Sequence, residues 1–157
     1  MKEKKYLLTC CVLALAVLCF LSVYSPLRFE EQQARREREV KERLVKIRQA
    51  EERYRKQNGI YTGDFKELVS GGLLADSLTF IPYSDGERFE LSVTTITEKS
   101  GREVPLMECG AQYQQYLNGL DRNAVANLIE TANKAGDYPG LRIGRLDQAN
   151  GNAGSWE

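Results

Sequence analysis

The distribution of apolar residues divides the chain into an uncharged start, a charged middle and a mixed remainder. No charged residue occurs between Lys5 and Arg28. At 1.5 Å per residue, this run would form about 33 Å of helix, enough to cross a bilayer core of about 30 Å. Tyr6 and Tyr24 lie near its two ends, where aromatic rings favour the membrane interface. The pattern predicts a transmembrane helix over residues 6–27.

The residues that flank this run indicate an orientation. Residues 1–5 form a short tail with three lysines, and a short basic tail favours the cytoplasmic side of a membrane. The run is longer than the apolar core of a signal peptide, and no cleavage site of small residues stands at its end. We therefore expect a single-pass protein of the inner (cytoplasmic) membrane. Its N-terminus would lie inside, and residues 40–157 would form a soluble domain in the periplasm or outside.

A long charged helix is predicted next, because residues 29–57 contain no glycine or proline and are rich in Glu, Arg, Lys and Gln. The sequence Asn58-Gly59 is a typical end for it. Residues 28–39 are expected to form a solvated stalk. An apolar stripe then follows at helical spacing, made of Val40, Leu44, Ile47, Ala50 and Tyr54. The stripe would pack on the chain's own domain, or alternatively in a coiled coil with a second copy.

The remaining sequence predicts a small antiparallel sheet with helices around it. Asp64 is expected to cap a short helix, with Glu67 completing a capping box. Residues 89–95 alternate between apolar and polar, which indicates a half-buried strand with Phe89, Leu91, Val93 and Thr95 facing inward. Residues 104–109 would return antiparallel, with Pro105 marking an edge strand or the start of a strand.

The C-terminal third predicts one more helix and one more extended piece. Asp121 is expected to cap a helix over residues 122–134, whose apolar face carries Val125, Leu128 and Ile129. A short strand around Leu141 and Ile143 follows. Residues 147–157 are polar and are expected to form a flexible loop, in which Trp156 could fold back as an apolar plug. The fold class is therefore α+β, with an additional C-terminal helix.

Composition argues against several kinds of chemistry. The chain has no histidine and a net charge of zero, so the commonest general base and the commonest metal ligand are both missing. Residues 58–157 carry eight basic and fourteen acidic side chains, which disfavours nucleic acid as a partner. We predict no enzymatic activity, no catalytic residue, no cofactor and no metal. In the tail, Asp147 alone is a poor basis for a calcium site. Cys109 is expected to be buried, with an intermolecular disulfide as the alternative.

A tyrosine patch, made of Tyr113, Tyr116 and Tyr138, is a candidate contact surface. Tyr113 and Tyr116 lie three residues apart and share a face if this segment is helical. Tyrosine is enriched at protein interfaces. Packing in the domain core is the alternative.

Residues 47–62 resemble the corresponding step in type IV pilins and type II secretion pseudopilins, where a long helix ends in an aromatic, Asn-Gly, aromatic sequence. Here this step is Tyr54, Asn58-Gly59 and Tyr61. Residues 81–89 are similar to the turn that leads into the pilin sheet, and residues 154–157 look like the end of G-type pseudopilins. The start of the chain departs from the family, because it has no peptidase site and no acidic residue within 6–27.

The resemblance implies a non-enzymatic, membrane-anchored pilin- or pseudopilin-like subunit, or an accessory protein, of an envelope or secretion-type assembly. A generic single-span scaffold that dimerises through its stalk helix is the alternative, and an enzyme with an unrecognised site is a third. The expected partners are the lipid bilayer through residues 6–27 and other proteins or further copies, with no small-molecule substrate. The residues expected to serve structure or interaction are Val40, Leu44, Ile47, Tyr54, Gly59, Tyr61, Tyr113, Tyr116 and Trp156.

Overall fold

A computed structural model describes residues 2–157, although the side chains of residues 2–5, 7 and 21–26 lie outside the description. The chain divides into two units, one extending to Ala34 and the other formed by Arg35–Glu157. Helix α1 spans Lys2–Asn58, so its first part belongs to the first unit and its second part to the second. The two units are described separately below.

The first unit does not provide the predicted membrane span. Within the described part of the chain, every helix is too short or too polar to traverse a bilayer. The transmembrane helix over 6–27 and the single-pass inner-membrane location are therefore wrong. The prediction rested on the absence of charged residues from 6–27, and absence of charge is a weaker criterion than a long run of strongly apolar side chains.

In the second unit, the apolar stripe of α1 is buried inside the chain's own domain. Val40, Leu44 and Ile47 are fully buried and Ala50 nearly so. The helix ends where expected, because Gly59 adopts a φ of 81° and its N–H donates to the carbonyl oxygen of Arg55 at 2.8 Å. The stripe is thus covered by contacts within one chain.

The compact unit begins earlier on α1 than the sequence boundary at residue 40. Arg36 Nη1 donates to the carbonyl oxygens of Tyr116 (3.0 Å) and Asn118 (2.7 Å). Tyr83 donates its hydroxyl hydrogen to Glu39 Oε1 at 2.5 Å. Polar side chains therefore attach this turn of the helix to the domain, which a pattern of apolar residues does not reveal.

The three strands form an antiparallel sheet in the order β1-β2-β3. They span Glu90–Thr97 (β1), Glu103–Gln112 (β2) and Gly140–Gly144 (β3). β2 is central, so Pro105 does not lie on an edge strand. It lies near the start of β2, as its third residue and before Glu108, from which residue on β2 pairs with β3. Side chains on β2 and β3 supply much of the core: Leu106, Met107, Cys109, Ala111, Leu141 and Ile143 are all buried.

The predicted inward-facing side chains at β1 become less exposed toward its start: Phe89, just before the strand, is buried and Leu91 is half-buried, but Val93 and Thr95 are not. Val93 is 38% exposed and Thr95 is exposed, while Ser92, Thr94 and Ile96 are half-buried. Val93 lies opposite the fully buried Met107 of β2 and therefore points to the core face. Its exposure follows from its place on an edge strand, because no strand of the described residues lies on the outer side of β1.

The remaining helices follow their local sequence signals. α2 (Phe65–Ser70), α3 (Tyr113–Tyr116) and α4 (Arg122–Ala135) are separated by loops, and a 3₁₀ turn occupies Asp76–Thr79. Asp64 and Asp121 cap α2 and α4 as expected, and Gly136 ends α4 with a φ of 73°. The predicted capping box of α2 is incomplete, because the carboxylate of Glu67 accepts hydrogen bonds from Tyr54 and Thr62 instead.

Candidate interaction site

A cleft of about 600 Å³ opens in the second unit between α4, β3, the C-terminal tail and α1. Its walls combine aromatic and basic side chains with one leucine: Lys41, Tyr113, Leu128, Tyr138, Arg142 and Trp156. Aromatic rings and arginine are the groups that are enriched in protein interfaces. The cleft is therefore the candidate contact surface of the domain.

One wall of the cleft is the apolar face of α4. Val125, Leu128 and Ile129 are only half-buried, and no residue of this helix is fully buried. The predicted apolar face therefore exists, but the domain covers it incompletely. Leu128 lines the cleft directly.

The floor of the cleft is built on β3. Gly110 leaves room for the Tyr138 ring, since a β-carbon at this position would lie 2.8 Å from the Tyr138 hydroxyl oxygen. Burial raises the pKa of Tyr138 to about 12, so the phenol is neutral at physiological pH. The Arg142 guanidinium lies 5.4 Å from the centre of the Tyr138 ring and donates to Glu108 Oε2 at 3.1 Å.

The opposite wall is the C-terminal tail, which is docked against β3. Gly154 forms a β-bridge with Ile143, and the Ser155 N–H donates to the Arg142 carbonyl oxygen at 2.9 Å. The tail is therefore ordered by backbone pairing, contrary to the flexible loop expected from its polar composition. The Trp156 ring folds over Gly154 and lies 5.7 Å from the Lys41 ammonium nitrogen, so this residue does return to the domain.

The side chain of Glu157 holds the tail against α1. Arg48 Nη1 and Nη2 donate to the Glu157 carboxylate at 3.0–3.1 Å, and Arg48 also donates to the Asn152 carbonyl oxygen. The hydrogen bonds from Arg48 hold the pKa of the Glu157 side chain below its ordinary value. This bidentate geometry is typical of arginine–carboxylate pairs.

We expect Arg48→Ala to release the tail. Trp156 is the only tryptophan in the chain, so its fluorescence reports on this docking without a label. The variant should show a red-shifted emission maximum and stronger quenching by acrylamide, because the ring would enter solvent. Lys46→Ala, an exposed position on the same helix, is the matched control. Equal spectra for the two variants would show that Arg48 does not hold the tail.

The candidate residues separate into three groups in space. Tyr113 and Trp156 both line the cleft, and the Tyr116 ring lies 5.9 Å from that of Tyr113. Tyr116 is fully buried, its hydroxyl has no hydrogen-bond partner among the described residues, and burial raises its pKa. Val40, Leu44 and Ile47 lie in the core, while Tyr54, Gly59 and Tyr61 lie at the end of α1.

A polar cluster at the end of α1 was missed by sequence reasoning. Glu51 is fully buried, and its Oε2 accepts a hydrogen bond from the Thr62 N–H at 3.0 Å. Tyr54 and Thr62 both donate to Glu67 Oε2, at 2.7 and 2.9 Å. Beside this cluster, the Tyr61 hydroxyl oxygen accepts hydrogen bonds from the side chains of Arg55 and Asn152. The cluster holds the loop after α1 against the helix.

The described side chains do not assemble a recognisable metal site. Among them, no three His, Cys, Asp or Glu residues are grouped in a way that could hold a metal ion. In the tail, the Asp147 carboxylate receives two hydrogen bonds from Arg145, at 2.8 and 2.6 Å. Cys109 is fully buried, and burial raises the pKa of its thiol.

Comparison with protein-family models, with curated proteins and with solved structures gives no match for this chain. The resemblance to pilins and pseudopilins over residues 47–62 and 81–89 therefore stays a prediction. What the structure provides is an α+β domain with an antiparallel sheet and an aromatic cleft beside it.

Proposed function

We propose that this chain is a non-enzymatic, pilin- or pseudopilin-like subunit, or an accessory protein, of a secretion-type assembly. It acts by binding other proteins, either further copies of itself or different subunits. The observation that carries this proposal is the exposed apolar surface around the first part of α1, which we call the apolar row because it runs along the helix. Leu8, Leu13 and Leu18 are each more than 60% exposed.

Exposed apolar surface of this extent is typical of interaction sites. The pilin resemblance implies a subunit of this kind, whose exposed apolar helix becomes buried only when the subunit joins an assembly. Burying one such leucine side chain contributes about 2 kcal/mol, so several together favour association strongly. The apolar row therefore gives the proposed subunit its driving force.

The organisation of the second unit supports the same class. The stripe of α1 is locked into a domain with an antiparallel sheet, and the tail returns to that helix through Arg48 and Glu157. The turn at residues 81–86 is closed by a hydrogen bond from the Ile81 N–H to the Glu87 carbonyl oxygen at 2.8 Å. These are the parts in which the sequence resembles pilins.

The scaffold alternative loses its dimerisation surface. It requires the stripe of Val40, Leu44 and Ile47 to be available for a second helix, yet all three side chains are fully buried within one chain. A coiled coil over this segment would first have to remove α1 from its own domain.

Sedimentation velocity of the full chain in detergent-free buffer tests the proposal. We expect defined species larger than a monomer. Leu13→Glu together with Leu18→Glu should convert them to monomer, because a charge within an apolar contact must be desolvated. Lys66→Glu, at an exposed position of α2, is the control and should leave the assembly unchanged.

Two results would contradict the proposal. A monomeric wild-type chain at micromolar concentration, both alone and with membrane extract, would leave the apolar row without a partner. Assemblies that survive the double substitution but dissociate with Leu44→Asp would instead favour association through the stripe. Circular dichroism of each variant separates lost assembly from lost folding.

A further inference from the structure

β1 is an open edge strand of the sheet, and its free backbone groups can be located from the hydrogen bonds around β3. The Gly144 N–H donates to Ala153 and the Arg142 carbonyl oxygen accepts from Ser155. Residues 142 and 144 therefore face away from β2. Since backbone groups alternate along a strand, Leu141 and Ile143 face β2.

The same alternation continues across the sheet. Ile143 is paired with Cys109 of β2, so the odd-numbered residues of β2 face β3 and the even-numbered ones face β1. Glu108 and Leu106 are paired with Ser92 and Thr94. The backbone groups of Leu91, Val93 and Thr95 must therefore point outward, away from the sheet.

Along the outer edge of β1, backbone groups have hydrogen-bond partners among the described residues only around the start of the strand. The Phe89 N–H donates to the Thr79 carbonyl oxygen at 3.0 Å, and Phe80 forms a bridge with Arg88. From Leu91 onward, no hydrogen bond joins the outward groups of β1 to any residue that the structure describes. The segment at Thr79 thus pairs with the chain just before β1, and no described segment continues this pairing along the outer edge of β1.

This open edge has none of the features that usually prevent strand addition. Residues 91–97 contain no charge and no proline, and β1 pairs with β2 in an unbroken register without a bulge. Five of these seven residues are β-branched: Val93, Thr94, Thr95, Ile96 and Thr97. Natural edge strands are commonly protected by charges, proline or bulges, because an unprotected edge pairs with other chains.

We propose that the outer edge of β1 binds an extended strand of a partner protein, by addition of that strand to the sheet. The partner strand is uncharged over about seven residues and basic at both ends. Only an extended backbone offers alternating donors and acceptors at the spacing of Leu91, Val93 and Thr95. The charge preference comes from Glu90 and Glu98, which bracket the uncharged stretch. Glu98 also pairs with Arg102 at 3.2 Å, but an exposed i,i+4 pair of this kind is weak, so Glu90 sets most of the preference and Glu98 adds to it.

A second copy of β1 fits this edge less well. Antiparallel pairing of the strand with itself around Thr94 would place Glu90 of each copy opposite Glu98 of the other. Like charges directly opposite each other destabilise a strand pair. A foreign strand with lysine or arginine at these two positions avoids the repulsion. The proposal does not depend on the proposed function, since it concerns the sheet and not the apolar part of α1.

The test is amide hydrogen exchange by NMR on the full chain with a synthetic probe peptide. The probe is Lys-Thr-Val-Thr-Val-Thr-Val-Thr-Lys, whose two lysines match the separation of Glu90 and Glu98. In the free chain, we expect rapid exchange at Leu91, Val93 and Thr95 and protection at Ser92 and Thr94. Millimolar peptide should slow exchange at the first three amides at least tenfold.

Two controls give the experiment its specificity. Thr95→Pro removes one outward N–H without removing a bond of the β1–β2 ladder, so it should abolish the protection while Thr94 stays protected. Thr95→Ser keeps the N–H and should behave as wild type. A probe with glutamate in place of both lysines should bind at least tenfold more weakly.

The outcomes that would overturn the proposal are equally specific. If the peptide produces no added protection at Leu91, Val93 and Thr95, the edge does not accept a strand. Equal binding of the two peptides would remove the charge preference. Protection that rises with the concentration of the chain alone would identify a second copy as the occupant.

Discussion

Ile47→Asp is expected to unfold the domain formed by residues 35–157. Ile47 is fully buried at the middle of the α1 stripe. Removing a buried isoleucine side chain costs about 2–5 kcal/mol, and an unpaired buried carboxylate costs about 3–5 kcal/mol more. A domain of this size has about 5–15 kcal/mol of total stability. The free energy of unfolding should therefore fall to near zero, as measured by urea titration with circular dichroism.

Lys46→Asp is the matched control, because Lys46 precedes Ile47 on the helix and is exposed. It introduces the same carboxylate at a solvated position and should change the free energy of unfolding by no more than about 0.5 kcal/mol. Similar losses for both variants would show that the negative charge, and not burial of Ile47, is responsible. Tyr54→Asp should be milder than Ile47→Asp, since Tyr54 is only half-buried and its hydroxyl lies at the domain surface.

Local sequence signals predicted the elements of the second unit well. Asp121 and Gly136 frame α4 because a capping side chain and a left-handed glycine act within one turn of the helix. The end of α1 at Asn58 follows from Gly59 in the same way. These features depend on neighbours in the sequence, so a single sequence contains the information needed.

Contacts between distant residues were not predictable in this way. Arg36 reaches Tyr116 and Asn118, and Arg48 reaches Glu157, across about half or more of the chain. A charged residue in a charged helix looks the same in sequence whether it meets water or a backbone carbonyl. The docked tail, and with it the wall of the cleft at Trp156, therefore could not be inferred from composition.

Glu51 is different, because its pattern was visible in the sequence. It lies seven residues after Leu44 and four after Ile47, which places it on the buried face of the same helix. A carboxylate in an apolar stripe is a direct indication of a buried polar group. Counting only the apolar members of the stripe concealed it.

The burial of Glu51 makes the stability of the domain depend on pH. Burial raises the pKa of its carboxyl to about 7; the hydrogen bond from the Thr62 N–H opposes this rise, and the charge of Glu67 adds to it. The Oε1 atom is buried without a hydrogen-bond partner among the described residues. Glu51 also contributes to raising the pKa values of Tyr54 on the same helix and Cys109 on β2. The folded domain therefore favours the neutral acid.

The sign of the effect follows from comparing the two states. In the unfolded chain Glu51 has its ordinary pKa of 4.5, and in the folded domain a pKa of about 7. Below pH 4.5 both states are protonated, and the contribution of Glu51 to the free energy of unfolding is at its most favourable. Between pH 4.5 and 7 the unfolded chain ionises first, so the free energy of unfolding falls as pH rises. Above pH 7 the loss levels off at up to about 3 kcal/mol.

Glu51→Gln should remove this dependence, because an amide keeps the oxygen that accepts from Thr62 and carries no charge. The variant should be more stable than wild type by about 2–3 kcal/mol at pH 8 and similar to it at pH 4.5. Urea titrations from pH 4.5 to 8 measure the difference at each pH. Glu52→Gln, at the next and half-buried position, should retain the wild-type profile.

Parallel profiles for wild type and Glu51→Gln would mean that another group produces the pH dependence. If the free energies of unfolding of wild type and Glu51→Gln converge only at acidic pH, the pH dependence comes from the buried carboxyl of Glu51.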